Sequence, residues 1–280
     1  MVEMEDEKIR KIVREQYAKI AERSQGYSCC GSSANPETIP TSSCCGQSVE
    51  ERETTSTSCC GDMGTIQNYS SELGYSEEEQ KSVPEGSNLG LGCGNPTALA
   101  SIKEGETIID LGSGAGFDSF LAANKVGSNG KVIGVDMTPQ MIDTARENAN
   151  KGNYENVEFR LGEIENLPVA DNVADLIISN CVINLAPNKD RVFQEAYRVL
   201  KPGGRIMVSD IVLTKELPDN IKSSMEAYVG CVSGAILKED YLKKIENAGF
   251  EKVEIKESKE TDFSGLTIQS INVSAKKRTE

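Results

Sequence analysis

The sequence predicts an α/β protein in which helices cover both faces of a mostly parallel seven-stranded sheet, preceded by a flexible segment rich in cysteine. Two observations support this prediction. From Thr107 onward, short apolar runs alternate with helical stretches, a pattern typical of parallel strands joined by right-handed crossovers. Residues 24–71 instead combine a high content of Ser, Thr, Gly and Pro with no apolar periodicity, which is typical of a flexible chain.

The order of elements follows from hydrophobic periodicity. Apolar residues at helical spacing predict an amphipathic helix over residues 5–23. The strand-like runs are TIIDLG, KVIGVD, VEFRLG, VADLIISN and GRIMVSDIV, and the helix-like segments are FDSFLAANKV, TPQMIDTARENANK, DRVFQEAYRVL and KEDYLKKIENAGF. KVEIKES and IQSINVSAKK follow without a helix between them, so a hairpin with one antiparallel strand is expected. The predicted units are residues 1–71, 72–212 and 213–280.

Composition excludes several classes of function. The net charge is −14, which opposes binding to nucleic acid or to an anionic membrane. The first twenty residues are charged where a signal peptide has an apolar core, and no apolar window could span a bilayer, so a cytoplasmic protein is expected. The nine cysteines then indicate thiol chemistry or soft-metal binding rather than a disulfide scaffold. The absence of histidine excludes Ser-His-Asp, Cys-His and His-ligated zinc chemistry.

A glycine motif follows the first strand of the alternating region. IIDLGSGAG places Gly112, Gly114 and Gly116 between a strand and a helix, and Phe117 stands where a dinucleotide fingerprint has its third glycine. Asp136 ends the next strand, where its carboxylate can accept hydrogen bonds from both ribose hydroxyls. A tight turn and a helix cap would explain each feature alone. Together, at this spacing, they favour a nucleoside site.

These runs resemble the class I S-adenosylmethionine-dependent methyltransferases, which have a Rossmann-like doubly wound fold. The resemblance covers residues 88–280 and is carried by IDLGSGAGFD, VIGVDMT, FRLGEIENLPV and LKPGG. It implies that the glycine loop lies beneath the methionine part of the cofactor, that Asp136 holds the ribose, and that the residues after Asp136 and Gly162 border the adenine. The implied cofactor-binding residues are Asp110, Gly112, Ser113, Gly114, Gly116, Asp136, Met137, Glu163, Ile164 and Asn180.

Three cysteines outside the N-terminal segment suggest the methyl acceptor. Cys181 ends the fourth strand, Cys231 follows the fifth strand in a loop, and Cys93 precedes the first strand in a Gly-rich loop. Free cysteine is often simply a small buried hydrophobe. Ligands of open α/β sheets, however, bind outside the carboxyl ends of the strands, so the three thiols are expected to converge there. Asn180 and Asn184 flank Cys181 and weaken the purely apolar interpretation.

A trio of thiolates selects a soft, thiophilic centre. Zinc normally takes four ligands, and the sequence contains no C-x-x-C. Trivalent arsenic accepts three sulfurs and keeps a lone pair, which can attack a sulfonium methyl group without a general base. At NLGLGCGNPTALA, IISNCVINLAP and GCVSGA the sequence resembles the arsenite methyltransferases.

The second resemblance implies a set of ligands and substrates. Cys93, Cys181 and Cys231 correspond to the arsenic-binding thiols, and Cys59 or Cys60 matches a further N-terminal cysteine. The implied substrates are arsenite, methylarsenite and their glutathione adducts, with S-adenosylmethionine as donor and glutathione or thioredoxin as thiol reductant. A methyltransferase for a small organic acceptor and a non-catalytic metalloid-binding protein remain as alternatives.

The motif SCCG occurs three times, beginning at Ser28, Ser43 and Ser58. Neighbouring α-carbons lie about 3.8 Å apart, below the range of roughly 4.4 to 6.8 Å that is usual for disulfides, so each pair is poorly suited to bond to itself. We hypothesise that the pairs capture arsenite and pass it to the three core cysteines, or that they reduce oxidised site cysteines. The alternative is an expanded low-complexity tail without a role in catalysis.

Overall fold

The computed structural model describes residues 2–25, 63–222, 224–263 and 266–279. Its centre is a seven-stranded sheet with the spatial order β3-β2-β1-β4-β5-β7-β6. Strand β7 pairs antiparallel with β5 and β6, and the other pairs are parallel. The predicted fold class and its single antiparallel strand are confirmed. The strands are β1 (Thr107–Leu111), β2 (Lys131–Asp136), β3 (Val157–Leu161), β4 (Ala174–Asn180), β5 (Leu200–Leu213), β6 (Glu251–Phe263) and β7 (Leu266–Lys276).

Ten α-helices lie within the described residues. Five of them match predicted helices, namely α1 (Val2–Gln25), α5 (Phe117–Val126), α6 (Pro139–Lys151), α7 (Lys189–Val199) and α10 (Lys238–Asn247). The others are shorter: α2 (Met63–Glu72), α3 (Glu77–Lys81), α4 (Pro96–Leu99), α8 (Asp219–Lys222) and α9 (Met225–Val229). A 3-10 turn follows β4 at Ile183–Leu185.

Two boundaries differ from the prediction. Residues 63–71 were expected in the flexible segment but form most of α2, which packs on the rest of the protein through the buried Ser70 and the partly buried Ile66. The KPGG sequence was expected to be a turn between helix and strand. It lies instead within β5, which begins at Leu200 and pairs with β4 across an irregular register between Ala174 and Leu176.

Alternating residues of the strands build two apolar cores. Ile108 of β1 packs against α5 on one face of the sheet, whereas Ile109 faces the core that α7 and α10 cover on the other face. Both isoleucines are fully buried. The carboxyl ends of β1, β2, β4 and β5 are thereby held in one fixed row at the edge of the sheet.

Helices α1 and α2 lie over that edge. Val13 of α1 is buried against Leu185 and Cys231, and the Tyr69 hydroxyl of α2 donates to the carbonyl of Gly92 at 2.8 Å. The apolar face of α1 therefore packs on the carboxyl edge of the sheet and on α6 rather than on a separate domain. Among the residues that the structure describes, no helix combines the length and apolar composition needed to cross a bilayer.

Candidate active site

A cavity of about 350 Å³ lies at the carboxyl ends of β1, β2, β4 and β5. Its volume is in the range of small-molecule sites, and its position is the usual ligand position in an open α/β sheet. Most of the site residues predicted from the sequence line it: Cys93, Asp110, Gly112, Ser113, Gly114, Asp136, Met137, Ile164, Asn180, Cys181 and Cys231. Gly116 and Glu163 lie outside the lining.

The glycines of the loop after β1 have different physical roles. All three have positive φ angles, which favour glycine. A Cβ atom on Gly112 would lie 2.5 Å from Val182, and one on Gly116 would lie 2.6 Å from Phe120, so these two positions are required for close packing. A Cβ on Gly114 would meet no atom within 4 Å. The backbone of Gly114 therefore faces open space, where a ligand can approach it.

Asp136 is held in place by the same loop. Its Oδ2 accepts a hydrogen bond from the amide of Gly114 at 3.0 Å, and its Oδ1 accepts one from the amide of Thr138 at 2.8 Å. Burial raises the pKa of the Asp136 carboxyl, although these bonds oppose the shift. The hydroxyl of Ser113 is buried and lacks a hydrogen-bond partner among the described residues. An orphaned hydroxyl beside a fixed carboxylate fits a polar ligand with hydroxyl and carboxylate groups, such as S-adenosylmethionine.

Asp110 and Asp118 form an acidic pair near the glycine loop. Asp110 Oδ2 accepts from the Ser119 hydroxyl at 2.6 Å, and Asp118 Oδ1 accepts from the Tyr75 hydroxyl at 2.7 Å. Burial, followed by the charge of Asp118, raises the pKa of Asp110 well above its usual range. Both carboxyl groups line the cavity, so this end of it favours a cationic ligand group.

The residues expected to border adenine divide between two surroundings. Met137 and Ile164 line the cavity. The carboxylate of Glu163 instead lies 3.6 Å from Arg10 and 3.9 Å from Arg14, because α1 packs directly over this loop. Glu165 lines the cavity in addition and pairs with Arg10 at 3.3 Å.

The three core cysteines converge at the other end of the cavity. The Sγ atoms of Cys93 and Cys181 and a carboxylate oxygen of Asp210 all lie within 4.8 Å of one another. The thiol of Cys231 donates to the carbonyl of Cys181 at 3.0 Å. Cys181 and Cys231 have φ angles of 58° and 64°, which carry a steric cost for any residue with a side chain. Such strain is typical of functional positions.

Asn180 holds the loop of Cys93 against the ends of β4 and β5. Its Oδ1 accepts from the amide of Cys93 at 3.0 Å, and its Nδ2 lies 2.9 Å from the carbonyl of Gly94. On the far side of the loop, the Ser270 hydroxyl donates to the carbonyl of Cys93 at 2.6 Å. Asn180 also lies 3.0 Å from Asp118, so it connects the acidic pair to the thiols.

The thiols are protonated at neutral pH. Burial raises the pKa of Cys93. Contact with the Cys181 thiol, and then burial, raise the pKa of Cys231 well above its usual range. At Cys181 the bond with Cys231 lowers the pKa, but contact with Cys93 and burial outweigh it and the net shift is strongly upward. The resting site therefore presents neutral thiols rather than three adjacent negative charges.

The sequence prediction omitted Asp118 and Glu165, described above, and three residues near the thiols. Tyr17 and Tyr69 line the cavity from α1 and α2, and the Tyr17 hydroxyl contacts the thiol of Cys231. Asp210 is fully buried below the thiols, and burial raises its pKa to about 7. A carboxylate inside the apolar run GRIMVSDIV was the available signal, because a buried charge needs a specific reason. Cys59 and Cys60, with the SCCG repeats, lie outside the described residues.

Known proteins resemble this chain in sequence and structure. Residues 102–249 match the family model described as a methyltransferase domain. An arsenite methyltransferase of Halobacterium salinarum is 48% identical over 255 residues, which are 91% of this chain and 60% of the relative. One of Aquipseudomonas alcaligenes is 40% identical over 60% of this chain and 50% of its own length. The chain thus spans only 50% to 60% of the length of these curated relatives.

A solved structure of a protein with a similar name also resembles this chain. An arsenic(III) S-adenosylmethionine methyltransferase from Chlamydomonas reinhardtii is 34% identical, with a TM-score of 0.62 over 76% of this chain and 73% of that chain. The domain match, the identity to these relatives and the shared architecture agree with the site geometry. The chain therefore belongs to the class I S-adenosylmethionine-dependent methyltransferases and, within them, to the arsenite methyltransferase family.

Proposed function

We propose that this chain transfers a methyl group from S-adenosylmethionine to trivalent arsenic held by Cys93, Cys181 and Cys231. One observation carries the proposal: the three thiols lie in the same cavity as the glycine loop and Asp136. S-adenosylmethionine, when bound, supplies an electrophilic methyl group, and the lone pair of thiol-bound trivalent arsenic is a suitable nucleophile. The family relationship supports the same activity, which the two curated relatives carry in their names.

The residues of the first half of the cavity fit the methyl donor. Gly114 offers an open backbone, and Asp136 supplies acceptor oxygens for the ribose hydroxyls. Asp110 and Asp118 suit the ammonium of the amino-acid part, because two buried carboxyl groups favour a neighbouring cation. Met137 and Ile164 offer apolar surface to the adenine ring.

The residues of the second half fit arsenite. Arsenite is an arsenic atom with three hydroxyl groups, and each thiol exchanges with one of them. The As–O bond breaks and an As–S bond forms, while the thiol proton leaves with the hydroxide as water. No separate base is required, in agreement with a chain that contains no histidine. The raised pKa values of Cys181 and Cys231 favour the protonated thiols. A neutral thiol and a neutral As–OH group exchange without any change in net charge.

Methyl transfer to the lone pair raises arsenic formally to the pentavalent state, so a two-electron reductant must restore the trivalent state. We assign that role to a thiol reductant, glutathione or thioredoxin, which is converted to its disulfide. A reducing, cytoplasmic compartment is part of the same proposal, since it keeps the site cysteines as thiols.

Arsenic speciation after incubation with arsenite, S-adenosylmethionine and glutathione tests the proposed activity. Methylated arsenicals should form, and Cys181→Ser should abolish them. Formation of a methylated organic acceptor without any methylarsenical would support the small-molecule alternative. Tight arsenite binding without any product would support a non-catalytic metalloid-binding protein.

The repeat cysteines are proposed to deliver arsenite to this site, with Cys59 or Cys60 as the nearest pair in sequence. The support is positional, because α1 and α2 both line the cavity and the chain between them, residues 26–62, carries all three SCCG motifs. Replacing the six repeat cysteines by serine should raise the apparent KM for arsenite and leave S-adenosylmethionine affinity unchanged. Unaltered kinetics at low arsenite would favour a tail without a role in catalysis.

A further inference from the structure

Asp210 is the feature of the site that arsenic chemistry leaves unexplained. Its side chain is fully buried, and one carboxylate oxygen lies within 4.8 Å of the Sγ atoms of both Cys93 and Cys181. Trivalent arsenic with three sulfur ligands has no use for a hard oxygen donor. A carboxyl group buried beside two thiols is also unusual, because burial of its charge is costly; a bound cation would offset that cost.

The neighbours of Asp210 hold it in place by hydrogen bonds rather than by an ion pair. Oδ1 accepts from the Asn184 amide at 2.8 Å and from the backbone amide of Ile211 at 2.9 Å, and Oδ2 accepts from the Tyr241 hydroxyl at 3.0 Å. The nearby ammonium of Lys189 donates to the carbonyls of Asn184 and Ala186. Oδ2 thus retains acceptor capacity, and no cation of the described residues lies within ion-pair distance of Asp210.

The geometry points to a second ligand for this site. We propose that Cys93, Cys181 and Asp210 bind a thiophilic divalent cation of the zinc and cadmium class. Binding forms two metal–sulfur bonds and one metal–oxygen bond, and the hydrated cation releases three water molecules. The two thiol protons, and the Asp210 proton where it is present, pass to solvent. The fourth tetrahedral position is filled by water or, after side-chain rotation, by the sulfur of Cys231.

The distances are compatible with such a site. Zinc–sulfur bonds of about 2.3 Å and zinc–oxygen bonds of about 2.1 Å imply ligand separations of roughly 3.6 to 3.8 Å in a tetrahedron. The three donor atoms lie within 4.8 Å of one another, so each must move by at most about 1 Å, which small side-chain rotations supply. The donors Asn184 and Tyr241 fix the carboxylate in the way that outer-shell partners orient metal ligands.

This cation and arsenite would share Cys93 and Cys181 but not Asp210. Zinc is therefore expected to compete with arsenite, and loss of the carboxylate should weaken only the binding of zinc. The competition rests on the proposed arsenite methylation, whereas binding of the cation does not. Direct metal binding is consequently the primary test, and inhibition is the secondary one.

The experiment uses the 280-residue chain with all six repeat cysteines replaced by serine, here called the parent chain, since those thiols would also bind zinc. The reduced protein is titrated with Zn²⁺ by calorimetry and with Co²⁺ by its thiolate charge-transfer absorption. One metal per chain is expected. Asp210→Asn should weaken the Zn²⁺ affinity by about a hundredfold or more, because even residues that merely orient metal ligands contribute ten- to a hundredfold to metal affinity. Arsenite affinity should change by less than about threefold, since arsenic prefers sulfur.

Two variants calibrate these results. Asp143→Asn, at an exposed carboxylate of α6, should leave both affinities unchanged. Cys181→Ser should lose both. Unchanged zinc affinity in Asp210→Asn, or the absence of stoichiometric Zn²⁺ binding in the parent chain, would refute the proposal. S-adenosylmethionine titration establishes that each variant is folded.

Anomalous diffraction from zinc-soaked crystals of the parent chain provides a test that needs no substitution at Asp210. A zinc peak within about 2.2 Å of an Asp210 oxygen supports the site, and a peak bonded to thiols alone refutes it. In methylation assays, zinc should inhibit the parent chain competitively with arsenite. If the chain bound zinc but methylated no arsenic, the metal site would stand and the proposed function would fail.

Discussion

The two ends of the cavity are built in different ways. The end proposed for the methyl donor comes mainly from one continuous βαβ unit, β1-α5-β2, where the glycine loop and Asp136 are joined by a single hydrogen bond from Gly114. The thiol end is assembled from three distant loops. Its parts are fixed by long-range side-chain hydrogen bonds: Asn180 accepts from the Cys93 amide, and Ser270 donates to the Cys93 carbonyl.

This difference separates binding of the donor from binding of the acceptor. The donor end depends on backbone shape that one local segment specifies, so a change there should leave the thiols in place. The thiol end depends on two residues with strained φ angles and on contacts between loops, so single substitutions there should disable acceptor chemistry alone. Asn180 is the exception, because it contacts both the Cys93 loop and Asp118.

The largest expected effect is at the thiols themselves. Cys181→Ser and Cys231→Ser should abolish methylation of both arsenite and methylarsenite, because each removes a sulfur that both substrates require. Cys93→Ser should abolish methylation of arsenite but retain substantial methylation of methylarsenite, which has only two exchangeable positions. Cys93 is expected to be the dispensable thiol because it lies in a Gly-rich loop. Cys181 directly follows a central strand, and the buried Cys231 is hydrogen-bonded to the Cys181 carbonyl.

Methylated product from each arsenical, measured for the three variants at saturating S-adenosylmethionine, decides this prediction. S-adenosylmethionine affinity should be unchanged in all three, as the comparison of the two ends requires. Loss of both activities in Cys93→Ser would contradict a second step with two thiols. Full arsenite methylation in Cys181→Ser would contradict the proposal that three cysteines hold the arsenic.

A second large effect is expected on stability at Asp210. Burial raises its pKa to about 7, compared with about 3.9 in an unfolded chain. Between these values the native state binds more protons than the unfolded state, so the free energy of unfolding decreases as the pH rises. The upper limit of this loss is about 4 kcal/mol. Asp210→Asn should remove this contribution.

Denaturant unfolding of the wild type and of Asp210→Asn at pH 5 and pH 7.5 measures the effect. The wild type should lose stability relative to the variant on going to the higher pH. A difference between the two proteins that is independent of pH would show that Asp210 titrates near its ordinary pKa. Asp143→Asn serves as the exposed control.

At the donor end, Asp136→Ala should weaken S-adenosylmethionine binding by about ten- to a hundredfold, the usual value of hydrogen bonds to a charged group. Arsenite binding should persist, since the proposed arsenic ligands are the three thiols and not Asp136. Calorimetric titration of each ligand gives the answer. Unchanged affinity for the donor would mean that the ribose lies elsewhere, and a parallel loss of arsenite binding would show that the two ends are not independent.

The same contrast explains how much of the molecule could be predicted. The alternation of strands and helices, the final hairpin and the glycine motif are local patterns, and each one correctly located its element. The convergence of the three cysteines was predictable as well, because the carboxyl ends of parallel strands share one edge of a sheet. Residues whose roles depend on tertiary contacts were harder to interpret.

Asp210 and Glu163 illustrate that limit. Nothing in the run GRIMVSDIV indicates that the Asp210 side chain lies near Cys93, because that proximity depends on the order of the strands and on the Asn180 and Ser270 bonds to a distant loop. The resemblance implied that Glu163 borders the adenine, which stays a prediction. The ion pairs of its carboxylate with Arg10 and Arg14 could not be foreseen, because they depend on where α1 packs. An amphipathic helix can be recognised from its periodicity, whereas the surface that it covers cannot.

The smallest expected effect concerns that helix and decides to which end of the cavity it belongs. The Tyr17 hydroxyl contacts the Cys231 thiol and lies 3.4 Å from the carbonyl of Val229. Tyr17→Phe keeps the ring and removes one hydrogen-bonding group, worth about 0.5 to 1.5 kcal/mol. The KM for arsenite should therefore rise by roughly two- to tenfold, with S-adenosylmethionine affinity unchanged.

Tyr154→Phe, which removes a hydroxyl 3.3 Å from the carbonyl of Ser82 and away from the thiols, should alter neither value. A weaker affinity for S-adenosylmethionine with an unaltered arsenite KM would assign α1 to the donor end instead.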